Sequence, residues 1–434
     1  MKFLHTADWH LGRMFHERSL GEDQRHMLDA LLGQLGSDAY SALIIAGDVY
    51  DRSIPSPESV TLLGSFFSRL RRALPNLPIM LIPGNHDSPD RLGYARELFL
   101  ELGIHIGSAP ERLDEPIRIR DGPDRCDVFL LPFLGAGSLE VAGGSAAGDG
   151  GGGDGAAGAG GTAAAAGAGA AASLRSQAEL AKEAARRLEL ARNRSLDSGA
   201  RWTVLAAHLF ALGGADSESE RSFLGTAERV GAELFSRFDY VALGHLHRCQ
   251  RVSDNCWYAG SPLAYSFDEA DQEKAFLSVE LHGPDGSGSS ATVRKLPIRP
   301  LRKVVRIAGG FDELMADTAA PDPLQQASAA RLSDAARLSD AYVEITLTDD
   351  AIVENPLALL RRAYPNLLSV RQEHALSAAG KSPAGQEEGQ GRMLEKRGID
   401  EEFDAFLKEL YGSSDADERE LFKDLAKEAE HASQ

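Results

Sequence analysis

The feature that most constrains the fold is a short apolar run that recurs along the chain and ends each time at a polar side chain. Such runs occupy residues 2–6, 42–46, 79–82, 202–207 and 240–243. Helical patterns follow the earlier runs, at residues 23–35, 56–74 and 89–102, and a shorter one covers residues 230–235. This alternation predicts an α/β layered domain. Because loops at one edge of such a sheet converge, the polar side chains after the runs are expected to meet.

The side chains that end these runs are oxygen and nitrogen donors suited to divalent metal ions. In chain order they are Asp8 and His10, Asp48, Asn85 and His86, His208, and His245 and His247. Since alternate residues of an extended backbone point to the same side, Asp8 and His10 are expected to face one pocket. The same holds for His245 and His247. One histidine after a strand is more often structural, but the whole series in this order predicts a centre with two metal ions.

Asp48 is the candidate for a bridge between the two ions, because ions about 3.5–4 Å apart need a shared carboxylate. Several candidate ligands directly follow a glycine, namely Gly47, Gly84 and Gly244. Glycine permits a tight backbone turn, so these glycines are expected to aim the next side chain into the site.

Composition limits the class of protein. The chain has 434 residues, of which 43% are hydrophobic and 26% charged, and this suits two or three globular domains. The three cysteines are an odd number without zinc-finger spacing, which favours a reducing compartment over a disulfide scaffold. There is no signal-peptide pattern and no run of about 18 apolar residues, so a cytoplasmic protein without a membrane span is expected.

The charge and the missing nucleotide motif bear on possible partners. The formal net charge is −19 at pH 7, whereas contacts to nucleic-acid phosphates normally come from Lys and Arg. Any strong affinity for DNA is therefore expected to be local or supplied by a partner. The sequence contains no GxxxxGK[ST] loop, so ATP would be used by that partner.

Shifts in composition divide the chain into segments. Residues 142–172 are almost entirely Gly, Ala and Ser and are expected to form a flexible insertion in a first domain at 1–300. Strand and helix patterns then predict a small α+β unit at 301–376. A polar linker at 377–399 precedes two short amphipathic helices predicted within 400–434.

The motifs of the first domain resemble the signature of the calcineurin-like metallophosphoesterases. They read Asp8-x-His10, Gly47-Asp48, Gly84-Asn85-His86-Asp87, His208 and Gly244-His245-x-His247. The resemblance implies an α/β fold of four layers, with two mixed β-sheets flanked by helices. It implies that one metal ion is held by Asp8, His10, Asp48 and His247. It implies that the other is held by Asp48, Asn85, His208 and His245.

The same resemblance implies a catalytic role for His86, which would protonate the leaving oxygen or stabilise the transition state instead of binding metal. Asp87 would orient His86, and a role as a turn or cap residue is equally open.

Longer segments resemble a subgroup of this family, the SbcD-type nuclease subunits of bacterial SbcCD complexes. The segments are HTADWHLGR, GDVYDRSIPSPES, PGNHDSPDRL and YAGSPLAYSFDE (Tyr258–Glu269). The related archaeal and eukaryotic repair nucleases have a histidine at the position of Asp51, and this chain does not. The resemblance implies two-metal hydrolysis of DNA phosphodiester bonds, as an ATP-dependent double-strand exonuclease and single-strand endonuclease. Such enzymes process DNA ends and hairpins in repair, replication and recombination.

The subgroup also implies cofactors, partners and further domains. Two divalent ions are expected, Mn²⁺ first, with Mg²⁺, Fe²⁺ and Zn²⁺ open. The unit at 301–376 would be a capping domain that helps to read DNA ends. The helices at 400–434 would dock the coiled-coil ATPase SbcC, and a homodimer within a heterotetramer is expected.

Other classes fit the sequence less well. A small-nucleotide phosphodiesterase of the same superfamily uses the same metals but would not need about 130 residues after Pro300. A protein phosphatase is suggested by GDVYDR, but the glycine that follows the arginine in that family is Ser53 here. An inactive scaffold usually loses ligands or the catalytic histidine, and all of these residues are present.

Overall fold

The computed structural model describes residues 1–141, 172–174, 176–215, 230–283, 291–316 and 340–372. The strands are β1 (Lys2–Thr6), β2 (Met14–Phe15), β3 (Arg18–Ser19), β4 (Ala42–Ala46), β5 (Ile79–Ile82), β6 (Ile104–Ile106), β7 (Ile117–Asp121), β8 (Asp124–Leu131), β9 (Glu140–Val141), β10 (Ala172–Ser173), β11 (Trp202–His208), β12 (Tyr240–Gly244), β13 (Gln250–Arg251), β14 (Cys256–Tyr258), β15 (Ala275–Leu281), β16 (Ala291–Pro297), β17 (Val304–Gly309), β18 (Tyr342–Leu347) and β19 (Leu367–Gln372). The α-helices are α1 (Gly21–Gly36), α2 (Pro57–Ala73), α3 (Pro89–Leu92), α4 (Arg96–Glu101), α5 (Gln177–Asp197), α6 (Phe311–Ala316) and α7 (Pro356–Leu360). Short 3₁₀ helices cover Pro110–Arg112, Ala232–Phe235 and Phe267–Glu269.

Two six-stranded mixed sheets form the first part of the chain. The first sheet has the order β16-β15-β1-β4-β5-β6, and the second has the order β13-β14-β12-β11-β8-β7. In the first sheet β1, β4, β5 and β6 run parallel, while β15 and β16 add antiparallel strands at one side. In the second sheet β8, β11, β12 and β14 run parallel between antiparallel edge strands. The parallel strands are apolar along their length because both of their faces are covered.

The two sheets pack face to face, and helices cover their outer faces. The core between the sheets contains Phe3, Ile44, Met80, Val128 and Val204, all with no exposed surface. A second core lies between the first sheet and helices α1 and α2, and a third lies under α5 on the second sheet. The expected four-layer α/β sandwich is thus confirmed.

Helix boundaries follow local capping signals. Ser56 accepts a hydrogen bond from the backbone N–H of Ser59, and Pro57 occupies the first turn of α2, where its missing N–H costs nothing. Helix α5 begins with a capping box, in which Ser176 and Glu179 each bond the other's backbone N–H. The helix then buries a stripe of leucine and alanine on the second sheet.

A three-stranded parallel sheet, β17-β18-β19, follows the two larger sheets and has its own apolar core with α6 and α7. It is tied to helix α1 by one buried carboxylate. Asp23 accepts hydrogen bonds from the hydroxyl of Tyr342 and from Nη1 of Arg302, each at 2.9 Å. The described residues, all within Met1–Leu376, form one compact unit.

Several expectations about secondary structure are corrected. The helix expected at 89–102 is two short helices that are separated at Gly93, since glycine is a poor helix former. Gly93 also packs too close to Ser108 to carry a side chain. The helical pattern expected from residue 230 is a 3₁₀ turn at Ala232–Phe235. Most of the Gly/Ala-rich segment (142–171), the linker expected at 377–399 and the helices expected within 400–434 lie outside the described residues. None of the helices in the described ranges has the length and apolar composition needed to cross a membrane.

We expect Ser176→Ala to lower the free energy of unfolding by about 1 kcal/mol, because it removes the acceptor that caps α5. Urea unfolding followed by circular dichroism measures the change. The matched control is Ser65→Ala, at an exposed position inside α2, which should change stability by less than about 0.5 kcal/mol. Equal effects from the two substitutions would contradict the capping role.

Candidate metal centre

The candidate ligands meet at the carboxyl ends of the parallel strands of both sheets. Asp8 and His10 follow β1, Asp48 follows β4, Asn85 and His86 follow β5, His208 ends β11, and His245 and His247 follow β12. The structure brings this entire set into one cluster. Asp8, His10, Asp48, His208, His245 and His247 are buried, whereas Asn85 and His86 are partly exposed at its open side.

One group of donors surrounds the ring of His10. Its Nε2 lies 3.1 Å from Nε2 of His247 and 3.6 Å from Oδ2 of Asp48. Two imidazole nitrogens bound to one ion at about 2.1 Å each lie roughly 3 Å apart, which is close to the observed spacing. Donor atoms of His10, Asp48 and His86 also lie within 4.8 Å of one another. The spacing of His10 and His247 fits a shared divalent ion, and His86 lies beside this position.

A second group of donors surrounds the amide oxygen of Asn85. Oδ1 of Asn85 lies 3.0 Å from Nε2 of His208 and 2.9 Å from Nδ1 of His245. Donor atoms of Asp8, Asp48 and His208 lie within 4.8 Å of one another, so Asp8, which is expected at the first ion, also lies close to this second group. This arrangement of amide, imidazole and carboxylate donors is typical of a second divalent site.

Asp48 lies between the two groups. Its Oδ2 is 3.6 Å from Nε2 of His10 and 3.5 Å from Nε2 of His208, while its Oδ1 accepts a hydrogen bond from the backbone N–H of His86 at 2.9 Å. Burial alone raises the pKa of this carboxyl, but His208 and His10 outweigh burial and hold the pKa well below its usual range. A charged carboxylate in this position fits the bridge between two ions.

Asp8 supplies further evidence that the centre is built for a cation. The residue is fully buried, and its Oδ1 accepts a hydrogen bond from the backbone N–H of His245 at 2.9 Å. Its Oδ2 has no hydrogen-bond partner among the described residues, which is rare for a buried oxygen. Burial raises the pKa of Asp8 to about 7. A bound divalent ion would satisfy the oxygen and stabilise its charge.

The histidines differ in their protonation. Burial lowers the pKa of His10 to about 4 and that of His245 to about 3, so both rings are neutral and keep a lone pair for an ion. Burial also opposes charge on His208, but the carboxylate of Asp48 outweighs it and raises the pKa of His208 to about 9. Binding of an ion is therefore coupled to loss of a proton from His208.

The backbone at four of the candidate ligands is not extended, which corrects one expectation. Asp8, His10, Asp48 and His245 have φ angles of 53°, 43°, 48° and 110°, in the region that L-residues rarely adopt. The loop after β1 is held against the loop after β4, with the N–H of His10 donating to the carbonyl of Asp48 at 2.9 Å. Asp8 and His10 therefore reach one site through left-handed turns, and not through strand alternation. Backbone strain of this kind clusters at functional sites.

The glycines before the ligands serve two purposes. Gly47 has φ +96° and makes the expected tight turn. Gly84 and Gly244 have no positive φ. The expectation that glycine is needed at these two positions for a tight backbone turn is therefore wrong. A Cβ at Gly84 would overlap Oδ1 of Asp48, and a Cβ at Gly244 would overlap the carbonyl of Ala46. These two glycines are needed because neighbouring groups approach them closely.

His86 and Asp87 lie next to each other but make different contacts. Nδ1 of His86 lies 2.9 Å from the backbone carbonyl of Asp51. The carboxylate of Asp87 accepts hydrogen bonds from the backbone N–H groups of Val49, Tyr50 and Gly84 at 2.9–3.0 Å. Of the two roles left open for Asp87, these contacts are those of a turn residue that joins the loops after β4 and β5.

Asp51 is a site residue whose role the sequence did not reveal. Its carboxylate accepts a hydrogen bond from Arg13 at 2.8 Å. It also lies 3.5 Å from Nδ1 of His10, the ring nitrogen that does not face His247. Its carbonyl faces His86. The only signal in the sequence was the second aspartate of GDVYD.

We expect Gly84→Ala to weaken metal binding strongly, because the added methyl group would push the carboxylate of Asp48 out of the bridging position. Metal content after equilibration with Mn²⁺, measured by mass spectrometry, tests this. The control is Gly64→Ala inside α2, where nothing lies within 4 Å of the added methyl group, and there the metal content should stay unchanged. Full metal occupancy in Gly84→Ala would contradict the bridging role.

The chain is similar to known proteins along most of its length. The model of the calcineurin-like phosphoesterases matches residues 1–249, and the model described as the type 5 capsule protein repressor C-terminal domain matches residues 300–411. The chain is 28% identical over 375 residues to the SbcD subunit of nuclease SbcCD from Staphylococcus saprophyticus, covering 86% of this chain and 85% of that protein. It is 28% identical over 372 residues to the protein of the same name from Staphylococcus epidermidis, covering 85% of each chain. The crystal structure of calcineurin-like phosphoesterase YfkN from Bacillus subtilis aligns with a TM-score of 0.34 at 12% identity, over 68% of this chain and 90% of that one.

Proposed function

We propose that this chain, which belongs to the calcineurin-like phosphoesterase family, is the nuclease subunit of an SbcCD-type complex and hydrolyses DNA phosphodiester bonds at a two-metal centre. The observation that supports it most is the position of Asp48, whose Oδ2 lies 3.6 Å from Nε2 of His10 and 3.5 Å from Nε2 of His208. The two Staphylococcus relatives are named as nuclease subunits and match nearly the whole length of the chain.

The residues at the centre fit two divalent ions. One ion would be held by Asp8, His10, Asp48 and His247, and the other by Asp48, Asn85, His208 and His245. When bound, such a pair of ions supplies Lewis-acid stabilisation of the phosphate and a nucleophile at neutral pH. The orphaned Oδ2 of Asp8 and the neutral rings of His10 and His245 support this assignment. Mn²⁺ is the first candidate for both positions.

His86 is the candidate general acid for the leaving 3′ oxygen. It borders the centre on its exposed side, whereas the histidine ligands are buried. The carbonyl of Asp51 lies 2.9 Å from Nδ1 and fixes the ring, while the backbone N–H donates to Asp48. A ring held in this way can present its other nitrogen to a phosphate at the ions and donate a proton to the departing oxygen. Asp87 stabilises the same loop, because its carboxylate accepts hydrogen bonds from the backbone N–H groups of Val49, Tyr50 and Gly84.

The remaining assignments follow the proposed complex. Residues 1–300 would be the nuclease domain, 301–376 a capping domain that helps to read DNA ends and hairpins, and 377–399 a linker. The helices at 400–434 would dock a coiled-coil ATPase of the SbcC type, which uses the ATP, and two copies of this chain would form a homodimer within a heterotetramer. Chromosomal DNA as substrate and three cysteines without disulfides favour a cytoplasmic location.

We expect Mn²⁺-dependent cleavage of a long linear duplex and of a closed single-stranded circle by the wild-type protein, assayed with and without the candidate ATPase and ATP. His86→Ala should lower the rate by about 10²–10⁴-fold, since general acid catalysis contributes about that much. The control is His282→Ala, which should retain wild-type activity. His282 is exposed and lies near the start of β1, at the end of the first sheet away from the candidate ligands.

Bis-p-nitrophenyl phosphate serves as a small diester in the same assays. Turnover of this diester without any cleavage of DNA, even with the partner present, would overturn the nuclease assignment. The protein would then be assigned as a small-nucleotide phosphodiesterase of the same superfamily.

A further inference from the structure

A buried ion pair lies directly behind the candidate ligand His247. Glu269 is fully buried and Lys274 is 9% exposed, and the Nζ of Lys274 lies 2.6 Å from Oε2 of Glu269. Taking two charges out of water is costly unless each finds several partners. The partners of this pair show what it holds in place.

The ammonium group of Lys274 holds the backbone around His247. Besides Glu269, it donates to the carbonyl of His247 at 3.0 Å, to Oγ of Ser261 at 2.9 Å and to the side chain of Gln272 at 3.1 Å. One buried ammonium therefore joins the loop after β12 to the start of β15. It fixes where the backbone of His247 lies.

The carboxylate of Glu269 holds the ring of the same histidine. Its Oε1 lies 3.3 Å from Nδ1 of His247, while Ser266 and Ser261 donate to its two oxygens at 3.2 and 3.3 Å. Glu269 is the last residue of the segment Tyr258–Glu269. No residue of that segment is a candidate metal ligand. The backbone and the ring of His247 are thus held by the two members of one ion pair.

This contact determines the tautomer of His247. An ionised carboxylate only accepts hydrogen bonds, so Nδ1 must bear the proton. Nε2 then keeps its lone pair and faces Nε2 of His10 at 3.1 Å, where the shared ion would lie. Nδ1 of His208 also lies beside an acceptor, but this acceptor is the uncharged backbone carbonyl of Ala46, at 2.9 Å. Groups that orient a metal-bound histidine from behind commonly strengthen metal affinity.

We propose that Glu269 and Lys274 form a positioning pair for His247, in which the ammonium fixes the backbone and the carboxylate fixes the ring and its tautomer for metal binding. The inference rests on the proposed two-metal centre. It adds residues that do not touch substrate or metal and act only through His247.

The geometry predicts that Glu269→Gln reverses the tautomer of His247. Lys274 requires an oxygen at the position of Oε2, so the new amide places its oxygen toward the ammonium and its NH₂ toward Nδ1 of His247. A donor there favours the tautomer with hydrogen on Nε2, which cannot bind an ion. We expect the Mn²⁺ affinity of one of the two sites to fall about 10–100-fold, the range seen when such supporting groups are removed.

Mn²⁺ titration followed by electron paramagnetic resonance measures both sites. The matched control is Glu273→Gln, which removes the same charge at an exposed position nearby and should leave both affinities unchanged. Nitrogen NMR of metal-free protein labelled at histidine reads the tautomer directly, with the His247 signals identified by their loss in His247→Gln. Hydrogen on Nδ1 in the wild type and on Nε2 in Glu269→Gln is expected, and hydrogen on Nε2 in the wild type would overturn the proposal.

Two double variants separate positioning from stability, because neither contains an unpaired buried charge. With Lys274→Met, the amide of Glu269→Gln is free to turn its oxygen toward His247, so this double variant should bind Mn²⁺ more tightly than Glu269→Gln alone. The pair Lys274→Met with Glu269→Leu has no acceptor and should show the 10–100-fold loss. Equal affinities in the two double variants would overturn the positioning role.

The Mn²⁺ titration of the wild type distinguishes failure of this proposal from failure of the proposed two-metal centre on which it rests. Wild-type protein that binds fewer than two Mn²⁺ ions would overturn the two-metal centre itself, and the positioning role with it. Two bound ions in the wild type and unchanged affinities in every Glu269 variant would overturn the positioning role alone.

Discussion

The close approach of the two sheets at their carboxyl edges is the constraint on which the rest of the structure depends. Gly244 at the end of β12 lies so near the carbonyl of Ala46 at the end of β4 that no side chain fits between them. That same carbonyl accepts a hydrogen bond from His208, and the carboxylate of Asp8 accepts one from the backbone of His245. Because both sheets are joined here, side chains from each of them meet in one cluster of candidate ligands, and neither sheet alone supplies the whole set.

The sequence predicted those parts of the fold that local patterns determine. The runs at β1, β4 and β5 were found with their boundaries, since each is a short apolar stretch between polar residues. Strands β6 and β7 were missed: the first is only three residues long, and the second is an edge strand with little apolar character. The break at Gly93 was also missed, although glycine is a poor helix former, because the helical pattern of residues 89–102 continues across it.

At the site, the residue types and their order were visible in the sequence, but the reasons for the local geometry were not. The left-handed turns at Asp8 and His10 and the crowding at Gly84 exist only once the loops of separate strands lie together. The same is true of the contacts of Asp51 and Glu269, whose partners are distant along the chain or belong to another loop. A motif gives the donors of a metal centre, whereas the groups that hold the donors in place emerge from tertiary packing.

The distribution of the ligands along the chain has a consequence for protein synthesis. His10 and its neighbour at the centre, His247, are separated by 237 residues. A growing polypeptide on the ribosome therefore presents its first donors long before the last ones exist. A chain that ends before His245 lacks candidate donors of both proposed ion positions. The dispersed ligand set thus delays the proposed nuclease activity until synthesis has passed His247.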